Sequence, residues 1–338
     1  MRFGLFGGAK SAGYGPDADS QGYRSFIDYV IRAEELGFES LFMVEHHFTG
    51  VGQVSASLNL LTYLAALTKR IRLGTAVVVL PWHNPVLLAE QASTLDLLSG
   101  GRFDFGVGKG YRKNEFAGFS ISQGEADARF EECVAFLRKA WTSEGRFSHH
   151  GRYWNFEDIV VEPRPIQQPH PPLWMAAGSV ESIRRAAFGG FNLLLDQIAS
   201  VELSLERARI YRDALEEAGR DQHSNQIALA RSLQIAETAA EIEKALAVRQ
   251  RVLSRIGDLA RGPGSERYAD EAEIKEAGLA ADGSSLMGAP EEITSTLQTL
   301  ADGGIDTVLL TDPNGDPRSL ERFAAEIAPN VQPKALAL

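Results

Sequence analysis

Short apolar runs alternate with amphipathic stretches along almost the whole chain, and no other feature restricts the fold as strongly. Arg2–Phe6, Ser40–Val44, Ile71–Leu80, Phe103–Val107, Leu173–Ala176, Asn192–Leu195, Ile227–Ile235 and Asp306–Leu310 read as eight strands. Helical spacing fills the gaps. Gln21–Leu36 repeats Phe26, Val30, Ala33 and Leu36 on one face and is stopped by Gly37. Ser57–Lys69 follows the second strand, and Pro85–Leu98 opens on proline and closes before Gly100-Gly101. Glu125–Trp141 carries Phe130, Val134, Leu137 and Trp141 on one face, and another helix starts at Ser179. A βα repeat of this length is a doubly wound sheet or a closed barrel. Eight units close a barrel and no linker divides the chain, so the expectation is a single α/β domain over residues 1–330, a (β/α)₈ TIM barrel, with 331–338 as a tail.

Two stretches break the rhythm. Residues 145–172 carry aromatic and β-branched residues, then Pro163, Pro165, Pro169, Pro171 and Pro172, which reads as a β-hairpin insertion with a surface connection. Residues 256–288 are polar, charged and glycine-rich; a non-core stretch of that length is a functional lid or a disordered loop.

The bulk chemistry narrows the class. At 338 residues, 44% hydrophobic and 23% charged, the chain can bury a sizeable core without staples. A net charge of −11 argues against nucleic acid and anionic membrane as partners. No apolar run approaches the roughly 18 residues of a membrane span. The start, Met1-Arg2-Phe3-Gly4-Leu5-Phe6-Gly7, is too short and glycine-broken for a secretory signal, so a cytoplasmic enzyme is expected. The single cysteine, Cys133, lies in a helical pattern and reads as a small buried hydrophobe.

In a barrel the chemistry sits at the C-terminal strand ends. The second strand ends in Glu45-His46-His47-Phe48. Alternation puts Glu45 and His47 on one side and His46 on the other, a base with orienting partners rather than a closed metal site. No His-Glu-x-x-His helix exists either, and no metal is expected. The fourth strand ends in Gly106-Val107-Gly108-Lys109-Gly110-Tyr111-Arg112, where glycines admit a ligand close to the backbone. Its spacing is neither a dinucleotide fingerprint nor a phosphate-binding Walker loop. The fifth strand leads through Gly178 to Ser179 and Ser182 at a helix start, which is a phosphate cradle or an ordinary serine cap. Arg129 could pair with the same phosphate. His83 stands at the mouth of the third strand, either a substrate contact or simply exposed, while His149 and His150 read as a solvated loop.

Taken together, Glu45-His46-His47-Phe48, the run from Ile71 to Gly110 and the segment Leu286-Met287-Gly288-Ala289-Pro290-Glu291-Glu292-Ile293 resemble the bacterial luciferase-like flavin monooxygenases, from Arg2 to about residue 330. The resemblance implies that reduced FMN, supplied by a separate flavin reductase, reacts with O₂ through a C4a-hydroperoxide to oxygenate a small organic substrate. His46 would match the catalytic base, supported by Glu45 and His47. Ala76-Val77 would match a non-proline cis peptide under the flavin ring. Lys109, Arg129, Gly178, Ser179 and Ser182 would hold the FMN phosphate, and Phe6, His83, Tyr111 and Gln197 would line the substrate pocket. Gly108 replaces the luciferase cysteine, Lys109 an arginine, Asn84 a histidine, and Asp196-Gln197 an aromatic strand end. These changes argue against light emission and a long-chain aldehyde.

Leucines on more than one face of Ser57–Lys69 and Pro85–Leu98 imply a homodimer. The competing readings are hydride transfer with the deazaflavin F420 on the same fold, a non-catalytic flavin-binding partner subunit, and a barrel lyase or aldolase, for which Lys109 is the one candidate lysine.

Overall fold

Alternate residues of each apolar run face opposite ways, and the two sets end in different cores. Phe42, Trp174, Leu194, Ala228 and Leu309 form one buried cluster, with Phe6, Ala76 and Val77 packed on it. Their chain neighbours Leu41, Met43, Met175, Leu193, Leu229 and Leu310 join a larger cluster with helix residues such as Val30, Leu64, Leu88 and Leu137. A period of two thus fills the inside of a barrel with one set and packs helices on the other.

The computed structural model describes residues 1–13, 15–48, 54–260, 284–312 and 315–332. Eight parallel strands pair around the barrel: β1 (Arg2–Gly7), β2 (Ser40–Met43), β3 (Arg72–Thr75), β5 (Phe103–Gly108), β8 (Leu173–Ala176), β9 (Asn192–Leu195), β10 (Ile227–Ile235) and β12 (Thr307–Thr311). It closes where Arg2 lies opposite Thr307, and Leu194 faces Ala228 across the β9–β10 seam. The helices outside are α1 (Pro16–Glu35), α2 (Ser57–Leu67), α3 (Pro85–Leu98), α4 (Lys113–Gly118), α5 (Ala126–Thr142), α6 (Val180–Phe188), α7 (Val201–Glu217), α8 (Ala239–Ala260), α9 (Pro290–Asp302) and α10 (Pro317–Arg322). Local chemistry sets several starts: the Asn84 side chain accepts from Val86 and Leu87 ahead of α3, and Ser200 accepts from Leu203 ahead of α7. Among the described residues no helix is long and apolar enough to cross a membrane.

The expected strand Ile71–Leu80 is not continuous. β3 stops at Thr75, the Ala76–Val77 peptide is cis, and a two-residue β4 (Val78–Val79) resumes pairing with β5 before a 3₁₀ turn at Leu80–Trp82. The unbroken apolar stretch Ala76–Leu80 across the junction hid the break. A strand that pattern reading did not find, β11 (Ser285–Gly288), pairs with β10 outside the closed ring, Leu286 opposite Leu233. It takes the end of the stretch read as a lid or loop into the core. Residues 256–260 finish α8, and 261–283 lie outside the described residues.

The insertion contains an antiparallel hairpin, β6 (Phe147–His150) with β7 (Asn155–Ile159). Glu132 on α5 ties it down by accepting from the backbone N–H groups of Arg152, Tyr153 and Trp154 at 3.0, 3.0 and 2.9 Å. His149, expected in a solvated loop, instead meets Glu132 at 3.2 Å and packs edge-on against Phe136; only His150 is exposed. Cys133 is buried, and that burial pushes its thiol pKa up.

Candidate active site

β2 ends at Met43, so Glu45, His46 and His47 lie just past the C-terminal end of a barrel strand. The alternation expected there persists. Glu45 and His47 share a side, with His47 Nε2 2.8 Å from Glu45 Oε1. His46 turns the other way, and its Nδ1 lies 3.2 Å from Glu115 Oε1.

Glu45 is a hub rather than a free carboxylate. It is only 3% exposed. Besides His47, its Oε1 accepts from His83 Nε2 at 2.8 Å and Trp82 Nε1 at 3.1 Å, and its Oε2 accepts the Val79 backbone N–H at 3.1 Å. Burial alone would push the Glu45 carboxyl up; the bonds from His47 and His83, the His83 charge and the Trp82 bond outweigh it and hold the pKa at about 2. One ionised carboxylate thereby joins the β2 end, β4, the 3₁₀ turn and the loop ahead of α3. His83 is thus held by Glu45 rather than standing free at the mouth.

Glu115, on α4, was not among the residues singled out from the sequence. It is 1% exposed, and the same Oε1 that meets His46 also accepts the His47 backbone N–H at 2.8 Å. Lys-Asn-Glu-Phe reads as an ordinary helix start, 69 residues from His46. Nothing local in the sequence links the two; the clue was its place a few residues past the glycine-rich end of β5. Tyr111, in the same connection, presents its ring edge-on to His46 with centroids 6.5 Å apart. His47, Trp82 and Phe119 close the far side, Trp82 stacking on Phe119 at 5.2 Å.

Ala76 and Val77 form the cis peptide at the β3–β4 break, packed on the inner barrel cluster beside Phe6. A Cβ on Gly108 would come within 2.5 Å of Val77 Cγ2, so glycine leaves room for the Val77 side chain beside β5. Ser179 caps α6 in a reciprocal box: its Oγ accepts from Ser182 N–H at 3.3 Å, while Ser182 Oγ accepts Ser179 N–H at 3.1 Å. Ser179 is exposed and Ser182 half-buried. A Cβ on the preceding Gly178 would lie 3.3 Å from Arg207 Nη2.

The expected phosphate cations already have partners. Lys109 Nζ holds Asp127 at 3.0 and 3.1 Å, and Arg185 of α6 meets the same carboxylate at 3.1 Å. Burial raises the Asp127 pKa, but the bonds from Lys109 and Arg185 hold it below the usual range. Arg129 pairs with Glu125 at 2.9 Å and stacks over Tyr153 at 4.3 Å, which couples it to the hairpin. At β9's end, Asp196 binds Arg207 at 2.8 Å and accepts from Ile198 and Ala199 N–H; the adjacent Gln197 is half-buried. Among the described residues no group of three or more metal-ligating side chains converges. At the opposite, N-terminal end an opening of about 310 Å³ is lined by Arg2, Arg72, Asp104, Phe42 and Trp174 among others; barrel chemistry belongs at the other end.

The chain belongs to the luciferase-like monooxygenase family, which matches residues 1–310. It is 27% identical over 251 residues to the oxygenase component of the flavin-dependent trigonelline monooxygenase of Acinetobacter baylyi, covering 72% of this chain and 68% of that one. It is 26% identical over 344 residues to an F420-dependent glucose-6-phosphate dehydrogenase of Amycolatopsis mediterranei, covering 96% and 98%. Among solved structures, monooxygenase RslO1 from Streptomyces bottropensis superposes with a TM-score of 0.83 at 27% identity, covering 98% of this chain and 100% of the other.

Proposed function

We propose that the protein is the oxygenase component of a two-component flavin monooxygenase, which takes reduced FMN from a separate reductase and uses O₂ to oxygenate a small organic substrate. The carrying observation is the pair of carboxylate–histidine units at one barrel mouth, Glu115 with His46, and Glu45 with His47 and His83. The trigonelline relative, named as an oxygenase component, supports the division of labour with a reductase.

The residues present fit a flavin that ends in a phosphate. Gly108 leaves room beside the Val77 side chain, and the exposed Ser179 and half-buried Ser182 place two hydroxyls at the positive end of α6, near which Gly178 approaches Arg207. Lys109 and Arg129 are the cations that would hold the phosphate, Lys109 after release from Asp127. When bound, reduced flavin supplies the two electrons with which one oxygen atom enters the substrate and the other leaves as water.

The chain's own part is proton handling and positioning. With His46 Nδ1–H donated to Glu115, Nε2 is the nitrogen left to take up or deliver a proton. The second bond from His47 N–H to Glu115 fixes the backbone beside His46. Glu45 orients His47 and His83 through their Nε2–H groups and locks the segment after the cis peptide. Phe6, Tyr111, His83 and Gln197 are the proposed substrate-pocket residues. The exposed Leu87 and Leu98, eleven residues apart on one face of α3, with Tyr63 and Leu67 on α2, are the proposed homodimer surface.

One observation favours deazaflavin hydride transfer instead: the F420-dependent relative matches nearly end to end. Anaerobic titration with reduced FMN and with reduced F420 separates the two. Tighter binding of FMN is expected; F420 binding with no FMN binding would overturn the proposal.

A further inference from the structure

Arg112 is the residue just ahead of α4, between Tyr111 and the helix that carries Glu115. It is 4% exposed. Its Nε donates to the Tyr111 hydroxyl at 3.2 Å, and its guanidinium carbon lies 5.4 Å from the centre of the Tyr111 ring. Nη1 is buried with no hydrogen-bond partner. Among the described residues, no carboxylate lies within ion-pair distance of it.

Other buried or half-buried guanidiniums have more acceptors, although Arg231 also keeps a buried Nε without one. Arg231 donates to the Asp196 and Ala199 carbonyls and to Ser204 Oγ. Arg102 donates to the carbonyls of Ala65, Ile71 and Ser99, and Arg72 pairs with Asp104. Burying a cation without a counter-charge or a full set of acceptors works against folding. In a chain of net charge −11, carboxylates are plentiful, so the missing partner at this position calls for an explanation.

The location supplies one. Arg112 contacts Tyr111, whose ring meets His46 edge-on, and Glu115, three residues further on, meets His46 directly. The guanidinium therefore lies one side chain, that of Tyr111, away from the group proposed to move the proton. We propose that Arg112 is the counter-charge for an anionic group on the organic substrate, and that the substrate class is a carboxylate-bearing small molecule. A planar carboxylate matches the guanidinium fork through two parallel N–H···O bonds. This rests on the reading of this mouth as the oxygenation site.

The test uses the whole protein with benzoate, its neutral isostere benzamide, and benzenesulfonate as probes, titrated calorimetrically against wild type, Arg112→Met and Arg112→Lys. Benzoate is expected to bind wild type at least about ten-fold more tightly than benzamide. That preference disappears in Arg112→Met and is partly kept in Arg112→Lys. Benzenesulfonate binding more tightly than benzoate would overturn the carboxylate assignment. Arg112→Met, which keeps the volume and removes the unpaired charge, is expected to melt at or above the wild-type temperature without ligand, and benzoate raises the melting temperature of wild type alone. Equal binding of benzoate and benzamide, a preference that survives in Arg112→Met, or an Arg112→Met that melts well below wild type, would each overturn the proposal. Reduced-FMN binding by wild type, measured alongside, keeps the two questions apart: its absence with the benzoate preference intact removes the oxygenase reading and leaves an anion site.

Discussion

Replacing Glu45 with glutamine tests how the mouth is held together. The carboxylate accepts four donors, from His47, His83, Trp82 and the Val79 backbone. A carboxyl held at about 2 against an ordinary 4.5 corresponds to about 3 kcal/mol of folding free energy at neutral pH. Because its pKa is lowered on folding, that stabilisation is fully present above pH 4.5 and is lost as pH falls through about 2. Glu45→Gln removes the charge and turns an amide N–H₂ toward groups that are themselves donors, so it forfeits at least this amount. Urea unfolding of both proteins at pH 7 and pH 3 reads the gap. It should be about 3 kcal/mol or more at pH 7, and the charge-dependent part should shrink to roughly 1–2 kcal/mol at pH 3. A gap under about 1 kcal/mol at pH 7, or one that does not change between the two pH values, would refute the idea that an ionised Glu45 organises the site.

Three further outcomes follow from the same geometry. His46→Ala should slow substrate oxygenation by about 10²–10⁴-fold with FMN affinity unchanged, and Glu115→Gln should reproduce much of that loss while altering the pH profile; a Glu115→Gln enzyme with wild-type turnover would detach Glu115 from His46's work. Asp127→Asn frees Lys109 and Arg185 from an exposed ion pair worth about 0.2–1 kcal/mol, so FMN should bind a few-fold more tightly and riboflavin, which lacks the phosphate, no differently. Weaker FMN binding in that variant would make Asp127 an organiser of the cations. Leu98→Arg places a charge on a side chain that is 62% exposed on α3 and should convert a dimer to a monomer in sedimentation; an unchanged sedimentation coefficient would place the contact elsewhere.

The barrel was legible because its strands are apolar runs separated by helices with clear starts, such as Asn84-Pro85 and Ser179. The position of Glu45, His46 and His47 was legible because they directly follow an apolar strand. What escaped was set by contacts distant in sequence. Glu115 sits in an unremarkable helix start, and only closure of the barrel brings it to His46. Trp82 offers an indole N–H to Glu45 from a turn that no apolar pattern marks. The β3–β4 break is followed directly by the apolar stretch Ala76–Leu80, which reads as the same strand continuing, and β11 holds too few apolar residues to register as a strand. The pairing of Lys109 with Asp127 also lay out of reach, since a cation near a glycine-rich turn looks the same in sequence whether or not an acid comes back to meet it.

The most direct measurement mixes the protein, loaded anaerobically with reduced FMN, against oxygenated buffer in a stopped-flow absorbance instrument. An absorbing species distinct from both oxidised and reduced flavin that outlives the reoxidation of free FMN is expected if the proposed site shields the flavin from water. Reoxidation at the free-flavin rate with no such species would contradict the proposal.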